Sequence, residues 1–130
     1  MTKDILESHL YAYRAKCLKV VDGDTLDLDI DLGMGVHNHQ RVRLYGINPP
    51  ETYGVKKGSP EHTAGAEATS VVVGLLFNEG SPVDLWIETH KDKKGKYGRY
   101  LAIIWLELDG EVINLNRHLV KEGLAQEKTY

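Results

Sequence analysis

The chain has 130 residues, 42% of them apolar and 27% charged, with a formal net charge of −3 at pH 7. That length suits one domain with a buried core, and the balance excludes a disordered or fibrous chain. No run approaches the roughly 18 apolar residues of a membrane span, charge interrupts the first twenty residues as no secretory leader allows, and the single cysteine, Cys17, can close no internal disulfide, so the expectation is a cytoplasmic protein.

In chain order, residues 2–10 suit a short helix capped by Thr2 or a loose arm, so residues 1–12 form an N-terminal addition to the domain. Tyr11–Val21 is mixed in pattern but rich in strand formers, and it ends at the turn-like Asp22-Gly23. Leu26, Leu28, Ile30 and Leu32 then alternate with Asp27, Asp29 and Asp31, the period of a strand with one wet face. Gly33 and Gly35 open a turn, and Gln40–Tyr45 alternates again with Val42 and Leu44 opposed to Arg41 and Arg43. His37-Asn38-His39 falls between the two runs and reads as an exposed polar loop; no histidine pair has zinc-ligand spacing.

Residues 46–58 are punctuation, and Pro49-Pro50 forbids a helix or central strand there. Ser59 as cap and Pro60 as first helical residue begin a helix, along which Ala64, Ala68, Val71, Val72, Leu75 and Leu76 recur at helical spacing. Asn78-Glu79-Gly80 ends it. Pro82–Glu88 and Tyr100–Leu108 read as strands, with Trp86 and Trp105 as core residues. Asp109-Gly110 turns into a short edge at Glu111–Ile113, and a brief helix runs from Asn114 to Glu122, closed by Gly123. Three strands, a helix, two strands and a helix make an α+β chain with the order of a five-stranded OB-type barrel; an open α+β sandwich gives a similar string.

The charge is segregated. Residues 36–58 and 91–100 are basic and the other segments acidic, so folding that joins the two makes a local positive site despite the negative total. Asp22-Gly23-Asp24-Thr25 sets two carboxylates at the mouth of the second strand. Arg43 is followed by Asn48 and Glu51 across the proline-stiffened loop, and Lys96-Tyr97-Gly98-Arg99 joins a basic loop to a strand. Together these supply oxygens for a hard cation, a candidate base and two guanidinium groups. Attack on a phosphodiester needs each of them, because the anionic phosphate must be neutralised before a nucleophile can approach.

The strings VVDGDTLDLDI, RVRLYGINPPE, KYGRYLAII and INLNRHLVKEGLA resemble, in order and spacing, the staphylococcal nuclease (thermonuclease-like) family over roughly residues 13–126. The resemblance implies an OB-fold over residues 1–130 as one domain, and a calcium-dependent nuclease acting on DNA or RNA, expected as a monomer with no membrane partner. It makes Asp24 a calcium ligand, with Asn48 and the backbone carbonyl of Pro49 completing the metal site. Arg43 and Arg99 become the residues that grip the reacting phosphate, Glu51 the residue that activates water, and Lys96 and Tyr97 contacts to a terminal phosphate of a bound nucleotide. Asn48 stands where the family has a second metal-binding aspartate, which keeps an oxygen but loses a charge. The family's carboxyl-terminal tyrosines are poorly matched by Thr129 and Tyr130, and its last helix is expected to be missing or vestigial. The alternative implied by these departures is an OB-fold nucleic-acid-binding module with weakened or no turnover.

Overall fold

The computed structural model describes residues 1–48, 60–94 and 99–128. Thr2 caps a short helix, α1 (Lys3–Ser8), by accepting a hydrogen bond from Ile5 N at 3.2 Å, and no residue of this helix is buried. A meander follows: β1 (Ala12–Asp22), β2 (Thr25–Gly33), β3 (Val36–Leu44) and the two-residue β4 (Ile47–Asn48). After α2 (Pro60–Leu76), a small ladder of β5 (Phe77–Asn78) and β6 (Ser81–Pro82) leads into β7 (Leu85–Lys94), β8 (Tyr100–Leu108) and β9 (Glu111–Asn114). Helix α3 (Leu115–Lys121) and β10 (Gln126–Glu127) complete the order. No described helix is long and apolar enough to cross a membrane.

The sheet runs β3-β2-β1-β7-β8-β9, and a parallel pairing of β3 with β8 joins β8 back to the far edge. Strands β1, β2, β3, β7 and β8 thereby form the five-stranded mixed barrel of an OB-like fold, with α2 after the third strand and α3 near the carboxyl end. Closure needs curvature, which β1 supplies: its register with β2 shifts between Cys17 and Lys19 and again between Val20 and Asp22. The first shift also changes which parity faces inward. Ala15 and Cys17 are buried, but Val20 and Asp22 are the more enclosed residues beyond it. That break explains why this stretch of sequence lacks a clean alternation.

In β2 the alternation is clean from Leu26 to Asp31, but Leu32, expected on the apolar face, is 43% exposed near the strand's end. Leu26, Leu28 and Ile30 are buried while Asp27, Asp29 and Asp31 stand on the wetter face. There Asp27 takes Arg41 Nε at 2.7 Å, and Asp29 lies 3.0 Å from His37 Nδ1. The Arg41 guanidinium holds the Asp27 carboxyl below its ordinary range. The core is filled from every strand of the barrel, with Val42, Leu44, Leu85, Ile87, Ile104 and Leu106 essentially inaccessible. Helix α2 packs on β1 and buries Ala68, Val72 and Leu76, a stripe four residues apart, and Leu115 and Leu119 of α3 join Val72 and Leu76 in the core.

Three expectations are corrected. His37-Asn38-His39 is exposed, but it lies within β3 rather than in a loop, because β2 and β3 stay paired out to Gly33 and Val36. The turn itself is only Met34-Gly35, and both of these and Gly33 before them have positive φ. Trp86 and Trp105 are not core residues: Trp86 is 39% exposed, Trp105 is half-buried, and they face each other across β7 and β8. Strand parity decides this, since Leu85, Ile87, Ile104 and Leu106 take the inward positions and the tryptophans fall between them. Finally, β7 covers Leu85–Lys94, not Pro82–Glu88, because Ser81-Pro82 is spent in the ladder with Phe77-Asn78. The proposed Ser59 cap lies outside the described residues.

Asn116, 3% exposed on α3, stitches the closure. Its Nδ2 donates to the carbonyls of Tyr45 at 2.8 Å and Ala102 at 3.0 Å, and its Oδ1 accepts from Ile104 N at 3.2 Å. Asn116→Ala removes all three bonds and takes from the buried Ile104 N–H its acceptor. We expect a stability loss of about 2–3 kcal/mol, read as a lower urea midpoint with an unchanged slope; a loss too small to measure would deny Asn116 this role.

Candidate active site

Two strand registers assemble the site. In the β2–β3 ladder Arg43 lies opposite Thr25, and in the parallel β3–β8 ladder it lies beside Leu101. Arg43 is therefore flanked by the Asp22–Thr25 turn on one side and by the start of β8 on the other, where Arg99 precedes Tyr100. The turn is tied to β3 through its backbone as well, with Leu44 N donating to the Asp24 carbonyl at 2.8 Å.

The side chains then join in one chain of hydrogen bonds. Arg43 Nε donates to Asp24 Oδ2 at 2.9 Å and Arg43 Nη2 to Asn48 Oδ1 at 3.0 Å. Thr25 Oγ1 donates to Asp24 Oδ1 at 3.0 Å, and Arg99 Nη1 donates to Thr25 Oγ1 at 3.1 Å. Asn48 is held in place from behind. Its strand β4 pairs with β10, Asn48 opposite Gln126, and Lys128 N donates to the Gly46 carbonyl at 2.8 Å. Asp24, Arg43, Asn48 and Arg99 are thus gathered from four separate parts of the chain. Glu51, Pro49, Lys96 and Tyr97 lie outside the described residues.

The ion pair at the centre is sheltered, the Arg43 and Asp24 side chains being 16% and 11% exposed. Partial removal from water strengthens both their attraction and any field they present to a ligand. Asp22 closes the turn by accepting the Asp24 N–H at 3.1 Å. Burial, together with the neighbouring Asp24 carboxyl, raises Asp22 from 3.8 to about 6. Burial also opposes the charge on Asp24, but hydrogen bonds from Asp22, Arg43 and Thr25 outweigh it and hold Asp24 below its ordinary value. Of the two neighbouring carboxyls, Asp24 is the one kept ionised.

The donor chemistry fits a hard cation. Asp24 and Asn48 both present oxygen, Asp22 is a second carboxyl in the same turn, and a positively charged group already bridges Asp24 and Asn48. Among the described residues no three His, Cys, Asp or Glu side chains are grouped to hold a metal, so a cation here would draw on the Asn48 amide oxygen as well as on carboxylate.

Two contributors carry little signal in the sequence. Thr25 is visible only as the last letter of Asp-Gly-Asp-Thr, with nothing to mark its hydroxyl as a junction. The β10 strand is two residues long, too short to show a period, yet it fixes Asn48.

Comparison with known proteins gives the family of the chain. The family model described as staphylococcal nuclease homologue matches residues 41–130. The chain belongs to that family. Among its relatives are a thermonuclease of Staphylococcus hyicus, 36% identical over 115 residues, and one of Staphylococcus intermedius, 38% identical over 112 residues. These alignments take in 88% and 86% of this chain but 59% and 58% of the relatives. An uncharacterised protein of Methanocaldococcus jannaschii is 29% identical over 136 residues, covering 88% of this chain and 58% of the relative. The chain therefore spans less than three-fifths of the length of these relatives. In this family member, an asparagine occupies the β4 position that Arg43 bonds.

The raised Asp22 value has a consequence for stability. A carboxyl that holds its proton more tightly in the folded state favours folding at low pH, and that contribution is lost as pH rises from 3.8 through about 6. Without added metal, Asp22→Asn should remove this decline, so its denaturation midpoint relative to wild type improves from pH 4 to pH 7. Parallel midpoint curves across that range would contradict the assignment.

Proposed function

We propose that the chain is a nuclease, a phosphodiesterase that hydrolyses DNA or RNA by water attack on phosphorus with calcium as cofactor. One observation carries this: Asp24, Thr25, Arg43, Asn48 and Arg99 form a single hydrogen-bonded constellation of two guanidinium groups and an oxygen-rich edge. The thermonuclease names of two relatives favour the same reading.

Arg43 and Arg99 place two permanent positive charges where a phosphodiester can approach, and guanidinium donors match phosphate oxygens in pairs. They neutralise the anion in the ground state and bind more strongly as charge builds on the non-bridging oxygens. Asp24 and Asn48 would hold the calcium ion, with Pro49 contributing its carbonyl. When bound, the ion supplies charge neutralisation and polarisation of the phosphoryl oxygen. Glu51, as general base, takes a proton from the attacking water; the new P–O bond forms as the bond to the leaving oxygen breaks. Lys96 and Tyr97 would contact a terminal phosphate of the bound strand.

Single-stranded DNA should be cleaved with calcium and spared with EDTA, and Glu51→Gln should slow cleavage by at least about 100-fold. Cleavage undiminished in that variant would remove the mechanism. Asn48 motivates one alternative, a binding module without turnover: its neutral amide lowers the ligand charge on which calcium affinity depends. That alternative requires association with nucleic acid but no product under the same conditions.

Asn48→Asp separates the two. Restoring the charge should tighten calcium binding in titration calorimetry while leaving metal-free nucleotide affinity unchanged. Unaltered calcium affinity would place residue 48 outside the cation site.

A further inference from the structure

We propose that Thr25 is a positioning residue for this reaction: its hydroxyl ties Arg99 to the carboxylate that Arg43 grips directly, so that both guanidinium groups are oriented by Asp24. The inference rests on the phosphodiesterase reading above.

The two hydrogen bonds at the Thr25 hydroxyl fit together in one arrangement. A hydroxyl has one proton to give, an arginine can only donate, and an ionised carboxylate can only accept. The Thr25 proton must therefore go to Asp24 Oδ1, which leaves an oxygen lone pair for Arg99 Nη1. Arg43 occupies the other carboxylate oxygen, Oδ2. One anion thus orients two cations that would otherwise repel, one in direct contact and one through a neutral adapter.

Thr25 is built to hold still. It is 1% exposed, and its backbone sits in two ladders, opposite Asp22 across the turn and opposite Arg43 on β3. A β-branched side chain in such a place has restricted χ1, which fixes the direction of the hydroxyl. Arginine carries large rotamer freedom, and anchoring Arg99 before a phosphate arrives removes that cost from the reaction step. The expected signature is a loss in kcat rather than in KM.

Thr25→Val keeps the shape and removes the hydroxyl; Thr25→Ser keeps the hydroxyl and loses the methyl. Two readouts apply, the first on metal-free protein: rotation of the Arg99 guanidinium about its Nε–Cζ bond, followed by NMR, and steady-state cleavage with calcium. Thr25→Val should free the guanidinium and lower kcat by about tenfold or more while KM stays within about twofold. Thr25→Ser should recover both to within about threefold. Urea denaturation of the valine variant establishes that it is folded. Wild-type rotation and kcat in Thr25→Val would overturn the proposal, as would equal losses in both variants, since a purely structural role needs only the shape. If the wild type itself fails to cleave, the nuclease reading falls, and Arg99 rotation still decides whether Thr25 anchors it.

Discussion

Val42, Arg43 and Leu44 run parallel to Tyr100, Leu101 and Ala102, and on this short ladder the geometry of the site depends. It closes the barrel, and it sets the turn after β1 and the start of β8 on either side of Arg43. Parallel pairs are slightly weaker per residue than antiparallel ones and need a long connection. Here the connection includes α2 and β7, and the junction is reinforced from outside. Tyr45 N donates to the Ala102 carbonyl at 2.8 Å, and Asn116 reaches across from α3 to the same carbonyl and to Tyr45 and Ile104. A helix that contributes no group to the candidate chemistry thereby holds the strand that carries Arg43 against the one that Arg99 precedes.

The electrostatics follow from that packing. A protein of net charge −3 is a poor host for a polyanion on average, yet Arg43 and Arg99 are concentrated around one sheltered carboxylate. The local field decides what binds. The same shelter makes the neighbouring acids unequal: Asp24, with Arg43 and Thr25 attached, stays ionised, while Asp22 holds its proton well above the ordinary carboxylate range. The neutral Asn48 belongs to this balance too, since its amide oxygen is taken up by the same arginine.

Much of the fold could be read along the chain because each residue's face is set by its own strand period. Leu26, Leu28 and Ile30 against the aspartates of β2 is the clearest case, and Thr2 and Asn114 cap their helices as their side chains allow. Legibility failed where parity or pairing outranked residue type. A bulge after Cys17 inverted the pattern of β1, the two tryptophans landed on the outward positions of β7 and β8, and the His37–His39 segment was drawn into β3 by its partner strand. The size or polarity of a side chain does not fix which way an odd or even position points.

The candidate site divides in the same manner. The chemical types were legible from Asp-Gly-Asp-Thr, from Arg43 with Asn48, and from the arginine before β8, because a cation, a phosphate and a water each demand particular donors and acceptors. Their spacing in sequence does not say that Arg99 meets Asp24 through the Thr25 hydroxyl, that Arg43 spans Asp24 and Asn48, or that a two-residue strand near the carboxyl end steadies Asn48. Those are long-range contacts, fixed by how β3 registers against β2 and β8. Local sequence determined which groups the protein owns and which faces of its strands are wet; only the closed barrel decided which of those groups share a hydrogen bond, since that depends on inter-strand register.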